Sequence, residues 1–288
     1  MTDQAAGGEA TASRAGDAGA PAGVRRVRTV HLHQWKSEGR RWPMLTAYDQ
    51  NTASIFDEAG VPVLLVGDSA ANNVFGHATS LPVTVDQLLS LTQAVTRSTR
   101  RALVVSDLPF GSYQGSPQQA FDTSVRFLKE GNAHAVKLEG GQAMVTHVRL
   151  LSDAGIAVMG HVGFTPQAEH SLGGYRVQGR GEAADRVLAD ALAVQEAGAF
   201  AVVLEMVPSS VAAQVTRELR IPTIGIGAGP DCDAQVLVWT DMAGFGNNKV
   251  GRFVKQYADL RGALLGAARS FASDVEAGAF PTAEHSFD

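Results

Sequence analysis

The chain has 288 residues, 45% of them hydrophobic and 18% charged, with a formal net charge of −5. Its one cysteine, Cys232, excludes an intrachain disulfide and fits a reducing cytosol. No dense Lys/Arg run points to a nucleic-acid partner, and no stretch approaches the roughly 18 apolar residues of a membrane-spanning helix. Dividing by about 150 residues per domain suggests two domains, but α/β barrels of roughly 250 residues fold as one.

In chain order, residues 1–24 are rich in Ala and Gly and lack the continuous apolar run of a secretory signal. They read as a disordered tail, with residues 25–288 forming a single domain. From Trp42 onward, short β-rich runs alternate with helical patterns: 42–48 (WPMLTAY), 61–66 (VPVLLV), 102–106 (ALVVS), 135–138 (AVKL), 156–160 (IAVMG), 200–204 (FAVVL) and 222–226 (PTIGI), with a weaker eighth at 235–240 (QVLVWT). Helical segments fall at 117–130, 142–154, 183–197 and 209–219. Pro117 and the Ser209–Ser210 pair suit helix starts, and Gly131, Gly155 and Gly198 suit left-handed helix ends. Continuous apolar strands in βα order mean burial on both faces, which fits a (β/α)8 TIM barrel better than a doubly wound sheet, an alternative that spacing alone leaves open. A last helical stretch, 252–277, follows the repeat and is expected to pack on the barrel bottom or on a neighbouring subunit.

Polar residues sit where the runs stop: Asp49, Asp68, Asp107, Lys137 with Glu139, His161 and Glu205. Barrel active sites are built from strand ends and βα loops at the C-terminal face, so this repeated placement marks a site. Adjacent strands lie about 4.8 Å apart, so Asp68, Asp107 and Glu139 would converge and repel unless a divalent cation joined them. An all-oxygen shell with room for water suits Mg2+ better than Zn2+. The structural alternative is that each carboxylate caps a helix or pairs with a base. Lys137 and Glu139, two apart in a strand, share a face. Lys137 reads as an electrostatic partner of a substrate oxygen; a Schiff base or a plain salt bridge with Glu139 are the alternatives. Glu205 suits a general acid or base, its alternative being an ion pair with Arg176 or Arg180. His161 reads as a hydrogen-bonding support behind the reacting groups. The run GIGAG (225–229) is not a full dinucleotide fingerprint and reads as close backbone approach at the barrel top. The stretch GGYRVQGR (173–180) reads as a loop able to cover the site.

The motifs TAYD (46–49), LVGDS (65–69), GHATSLPVT (76–84), DLPF (107–110), VKLEGG (136–141), GHVGFTPQ (160–167), GGYRVQGR (173–180), VLEMVP (203–208), IGIGAG (224–229) and EHSF (284–287) run from about His31 to Phe287. Together they closely resemble the ketopantoate hydroxymethyltransferase family. The resemblance implies a barrel of the phosphoenolpyruvate/pyruvate type, one Mg2+ per subunit, and 5,10-methylenetetrahydrofolate as one-carbon donor to 3-methyl-2-oxobutanoate (2-oxoisovalerate). It implies the first step of pantothenate and coenzyme A synthesis, giving ketopantoate and tetrahydrofolate, in a cytoplasmic homo-oligomer, typically a decamer of two stacked pentameric rings. By position, Asp68 and Asp107 resemble the metal ligands with Glu139 in the same shell. Asp68, Ser69, Asp107 and Lys137 resemble the residues that hold the 2-oxo acid, and Glu205 resembles the proton acceptor. Departures lie in 240–248 (TDMAGFGNN) and in the extra N-terminal tail. Two rivals differ in kind: another metal-dependent barrel lyase acting on a 2-oxo acid, expected to carry a nucleophilic cysteine loop not found here, and a non-catalytic barrel scaffold.

Overall fold

A computed structural model describes residues 25–246 and 250–287; the proposed tail at 1–24 and part of the departing run 240–248 lie outside the described residues. Eight parallel strands close into a barrel in sequence order: β1 (Trp42–Thr46), β2 (Val63–Val66), β3 (Leu103–Asp107), β4 (Ala135–Lys137), β5 (Val158–Gly163), β6 (Ala201–Glu205), β7 (Thr223–Ile226) and β8 (Ala234–Leu237), with β8 pairing back onto β1. The helices are α1 (Thr29–Ser37), α2 (Gln50–Glu58), α3 (Ala70–Asn73), α4 (Val85–Ser98), α5 (Pro117–Lys129), α6 (Val145–Asp153), α7 (Glu169–Leu172), α8 (Ala183–Glu196), α9 (Ser209–Glu218), α10 (Trp239–Met242) and α11 (Leu260–Glu276). The apolar runs become strands because their two-residue period feeds two cores at once. Met44, Val63, Leu65, Val105, Met159 and Val203 fill the barrel interior, while Leu64, Val66, Val104, Val202 and Leu204 pack outward against the helices. Leu32 and Trp35 of α1 join the interior cluster, and Trp35 packs on Trp42 with ring centroids 6.4 Å apart. Helix α1 therefore closes the end where β1 begins, leaving the other end open.

Local chemistry sets the helix starts. Ser116 accepts the Gln119 N–H with Pro117 at the first helical position of α5, and Thr84 and Gln87 form a reciprocal capping box on α4. One expected end differs in detail. At the end of α5 the left-handed residue is Asn132 (φ 54°), not Gly131. At 209–219 the helix starts at Ser209 as expected, with Pro208 in the cap position.

The C-terminal stretch differs more. Helix begins only at Leu260, capped by Asp259, because residues 250–259 are spent crossing the barrel mouth, where Tyr257 N–H bonds Met242 O and Phe253 and Val254 line the main cavity. Helix α11 has no buried residue, and Leu264 and Phe271 are 56% and 59% exposed, so it does not pack on the bottom of its own barrel. In the strands that should lie beneath an eighth barrel helix, the register partners Pro43 and Gln235 are exposed. A groove of about 660 Å3 runs along this seam, lined by Trp42, Pro43, Cys232 and Gln235.

Candidate active site

At the open end, consecutive strands deliver their terminal polar residues into one buried cluster. Asp68 follows β2, Asp107 and Lys137 end β3 and β4, Glu139 lies two residues further, and His161 lies within β5. All five are between 2% and 6% exposed. Glu205, the last residue of β6, has a side chain 13% exposed. They line a cavity of about 910 Å3 that reaches past Asn72 and Asp241 to Arg252.

The contacts are specific. Lys137 Nζ pairs with Asp107 Oδ1 at 2.9 Å, and Asp107 Oδ2 accepts the Asp68 N–H at 3.0 Å. Gly67 permits that approach: a Cβ there would meet Ser69 Oγ at 2.8 Å and Asp107 Oδ2 at 3.5 Å. His161 stands between two carboxylates, Nδ1 at 3.4 Å from Glu139 Oε1 and Nε2 at 3.3 Å from Glu205 Oε2, with Lys137 Nζ 3.2 Å from Nδ1. These imidazole–carboxylate contacts have ion-pair distances without hydrogen-bond alignment, since neither His161 Nε2 nor Glu139 Oε1 finds a hydrogen-bond partner. Ser69 Oγ lies 2.8 Å from Tyr48 OH.

Burial and crowding perturb every member. Asp68 is pushed up to about 8 by burial, then by the charges of Asp107 and Glu139. Burial also raises Asp107, against the pull of Lys137. Burial alone would lower the Lys137 amine, yet Asp107, Glu139 and Asp68 outweigh it and hold the amine above its ordinary range. Burial opposes ionisation of Glu139 too, but His161 and Lys137 carry it below the usual carboxylate range. His161 rises to about 9 because Glu139 and Glu205 overcome burial and the repulsion of Lys137.

Among the described residues, no group of three or more His, Cys, Asp or Glu side chains is arranged to hold a metal ion by itself. The donor chemistry nevertheless fits a hard cation that keeps water. Glu139 Oε1 is buried without a hydrogen bond, Asp107 Oδ1 meets only the Lys137 ammonium, and the carboxylates of the cluster face one ammonium and one imidazole. Mg2+ is held by one or two protein carboxylates with water and substrate completing its shell, which suits oxygens that do not all converge.

The other residues singled out in the sequence sort clearly. Asp49 is a helix cap, accepting the Asn51 and Thr52 N–H groups of α2, and stands outside the cluster. Among the described residues, the ion-pair partner of Glu205 is His161, not Arg176 or Arg180, and that of Lys137 is Asp107, not Glu139. In the GIGAG run, a Cβ on Gly229 (φ +82°) would meet Ser209 Cβ at 2.4 Å, so the backbone approach is real. The 173–180 loop hangs over the cavity: Tyr175 lines it and packs on Phe164 at 4.7 Å, and Gln178 N–H is tied to Met206 O at 2.8 Å. Sequence reasoning missed Tyr48, Tyr113 and Gln167. Tyr48 and Gln167 lie in the TAYD and GHVGFTPQ motifs, a signal that carried no role, and Tyr113 lies in none of the motifs.

The closed barrel with its strand-end cluster defines the class, a (β/α)8 TIM barrel with polar groups gathered at one mouth. Solved structures of a phosphonopyruvate hydrolase (TM-score 0.57, 14% identity, 89% of this chain and 92% of that one) and of 2,3-dimethylmalate lyase (TM-score 0.55, 15% identity, 90% and 91%) share this fold. Within that class the family model described as ketopantoate hydroxymethyltransferase matches residues 26–283, and the chain belongs to that family. It is 65% identical over 282 residues to the 3-methyl-2-oxobutanoate hydroxymethyltransferase of Saccharopolyspora erythraea, covering 98% of this chain and 95% of the relative. The enzyme of that name from Mycobacterium tuberculosis is 59% identical over 262 residues, covering 91% and 93%.

Proposed function

We propose that this chain transfers a hydroxymethyl group from 5,10-methylenetetrahydrofolate to 3-methyl-2-oxobutanoate, giving ketopantoate and tetrahydrofolate at the entry to pantothenate and coenzyme A synthesis. The observation that carries this reading is the buried meeting of Asp68, Asp107, Lys137, Glu139, His161 and Glu205 in one cavity, in a chain of this family. Asp68 and Asp107 are the proposed ligands of one Mg2+ per subunit, with Glu139 in the same shell. When bound, the ion supplies Lewis acidity to the ketone and carboxylate of the oxo acid, stabilising its enolate.

The protein's own groups do the rest. Lys137, kept protonated by three carboxylates, sets positive charge beside the substrate's carboxylate or enolate oxygen. Asp107 steers that amine through its 2.9 Å ion pair. Ser69, oriented by Tyr48, helps Asp68 and Asp107 hold the oxo acid. Glu205, the least buried carboxylate of the set and supported by His161, takes the proton from C3 or serves the folate nitrogen.

Proton NMR of 3-methyl-2-oxobutanoate in D2O, with the protein and Mg2+ and then with EDTA, tests the reading: loss of the C3–H signal only with metal supports it. Exchange unaffected by EDTA, or none even with folate added, overturns it. Glu205→Gln separates the two roles of Glu205, since full exchange in that variant removes it from deprotonation.

Residues 25–288 act as one catalytic domain in the cytosol, within a homo-oligomer that on the family resemblance is a decamer. Support for the oligomer comes from the uncovered α11 and the open β8–β1 seam, an apolar helix face and a bare barrel wall on the same chain. Among the described residues, no helix is long and apolar enough to cross a membrane.

A further inference from the structure

We propose that Gln167 is a positioning residue that presets two of the carboxylates for a divalent cation, an inference that rests on the metal reading above. Gln167 is 7% exposed and lies directly after Pro166, in the short turn that follows β5. It touches both sides of the cluster. Its Nε2 donates to Asp68 Oδ2 at 2.9 Å and to Leu108 O at 3.0 Å, while its backbone N–H donates to Glu139 Oε2 at 3.0 Å. Its Oε1 accepts from Tyr113 OH at 2.7 Å and from Gln114 Nε2 at 2.9 Å.

These bonds fix which way the amide points. A flipped amide would set Oε1 against the Asp68 carboxylate and the Leu108 carbonyl, acceptor facing acceptor, and would set the NH2 group against the amide of Gln114. Tyr113 locks the arrangement from behind. Its single hydroxyl proton goes to Gln167, so its oxygen is left to accept the Glu139 N–H at 3.1 Å. One Gln–Tyr pair thus holds the side chain of Asp68 and both the backbone and the side chain of Glu139.

The consequence is a division of oxygens. Gln167 occupies Asp68 Oδ2 and Glu139 Oε2, whereas Glu139 Oε1 takes no hydrogen bond, only the 3.4 Å contact with His161, and Asp68 lines the cavity. Each carboxylate is tied to Gln167 through one oxygen and leaves the other outside the clamp, the state a metal ligand needs before the ion arrives. The clamp must also be neutral. A carboxylate at this position would add to the repulsion among Asp68, Asp107 and Glu139, and an ammonium would compete with the cation for them. A neutral amide supplies donors without taking the cation's role, and partners behind metal ligands typically govern affinity by about 10–100-fold.

The test uses the full chain and Mn2+ as a paramagnetic stand-in, its dissociation constant read from the free-ion resonance and melting followed separately in EDTA. Gln167→Met keeps the length of the side chain and removes both donor and acceptor. The expected result is Mn2+ binding weakened by about 10–100-fold, with melting in EDTA little changed and the Mn2+-induced rise in Tm reduced. A folded Gln167→Met that binds Mn2+ within about twofold of the unaltered chain overturns the proposal. Should that variant fail to fold, Tyr113→Phe decides: binding weakened several-fold supports the clamp, and unchanged binding overturns it. If the unaltered chain itself binds no Mn2+, the metal reading fails first and takes the clamp with it.

Discussion

Lys137 shows how competing effects settle a single residue. Taking an ammonium out of water favours the neutral amine, but three carboxylates, one of them at 2.9 Å, favour the cation and prevail. An amine held toward its protonated form is a poor nucleophile, which favours the electrostatic role over the Schiff-base alternative. Borohydride reduction in the presence of 3-methyl-2-oxobutanoate is therefore expected to leave the mass of the chain unchanged; an adduct at Lys137 would reverse the assignment. Lys137→Met is expected to lower kcat by about two to three orders of magnitude in steady-state assays, the typical loss when a fixed positive or donor group is removed from developing negative charge. The same change leaves Asp107 buried without its partner, so a fall in Tm should accompany it.

At the scale of an element, the entry to β4 carries a pH-sensitive joint. His134 precedes the strand, and its Nδ1 accepts the Val104 N–H at 2.9 Å, standing in for a ladder acceptor. Burial, with Arg26 and Arg28 adding to it, lowers this imidazole to about 4. The folded chain therefore refuses a proton that the unfolded chain accepts near pH 6.5, so stability is complete above pH 6.5 and is lost as pH falls toward 4. The loss amounts to at most about 3 kcal/mol. Urea unfolding at pH 7 and pH 5 should show it, and His134→Asn should flatten the difference; an equal slope in both proteins would remove His134 as its source. The elements were legible because apolar periodicity is local: each of the eight runs contains a strand, although the eighth turns into α10 at Trp239, and the helix at 117–130 was found to within a residue. The error at 252–277 has an equally local cause. An apolar pattern does not say what lies beside it: the largely exposed segment 250–259 runs across the barrel mouth, where Phe253 and Val254 line the cavity, and helix starts only at Leu260.

For the molecule as a whole, the uncovered α11 and the bare β8–β1 seam support the proposed assembly. Leu260, Leu264, Phe271 and Val275 recur at intervals of about one or two helical turns and are all at least 40% exposed, a stripe too apolar to face water for its own sake. A double change, Leu264→Asp with Phe271→Asp, is expected to break the assembly into smaller species by light scattering while circular dichroism of the barrel stays unchanged. A particle of unaltered mass would show that other surfaces hold the subunits together.

The sequence by itself determined the barrel, the strand ends that carry polar groups, and the family, because each is written in short-range periodicity or contiguous motifs. Only the tertiary structure decided who meets whom. Gln167 reaches Asp68 across 99 positions of sequence, Tyr113 braces Glu139 across 26, and His161 settles between Glu139 and Glu205. Asp49, as plausible a strand-end carboxylate as Asp68 on sequence grounds, turned inward on its own helix as a cap. The physical reason is closure. A barrel brings every strand end to one mouth, and the partners formed there depend on register and side-chain direction around the whole ring, quantities that no local stretch of sequence contains.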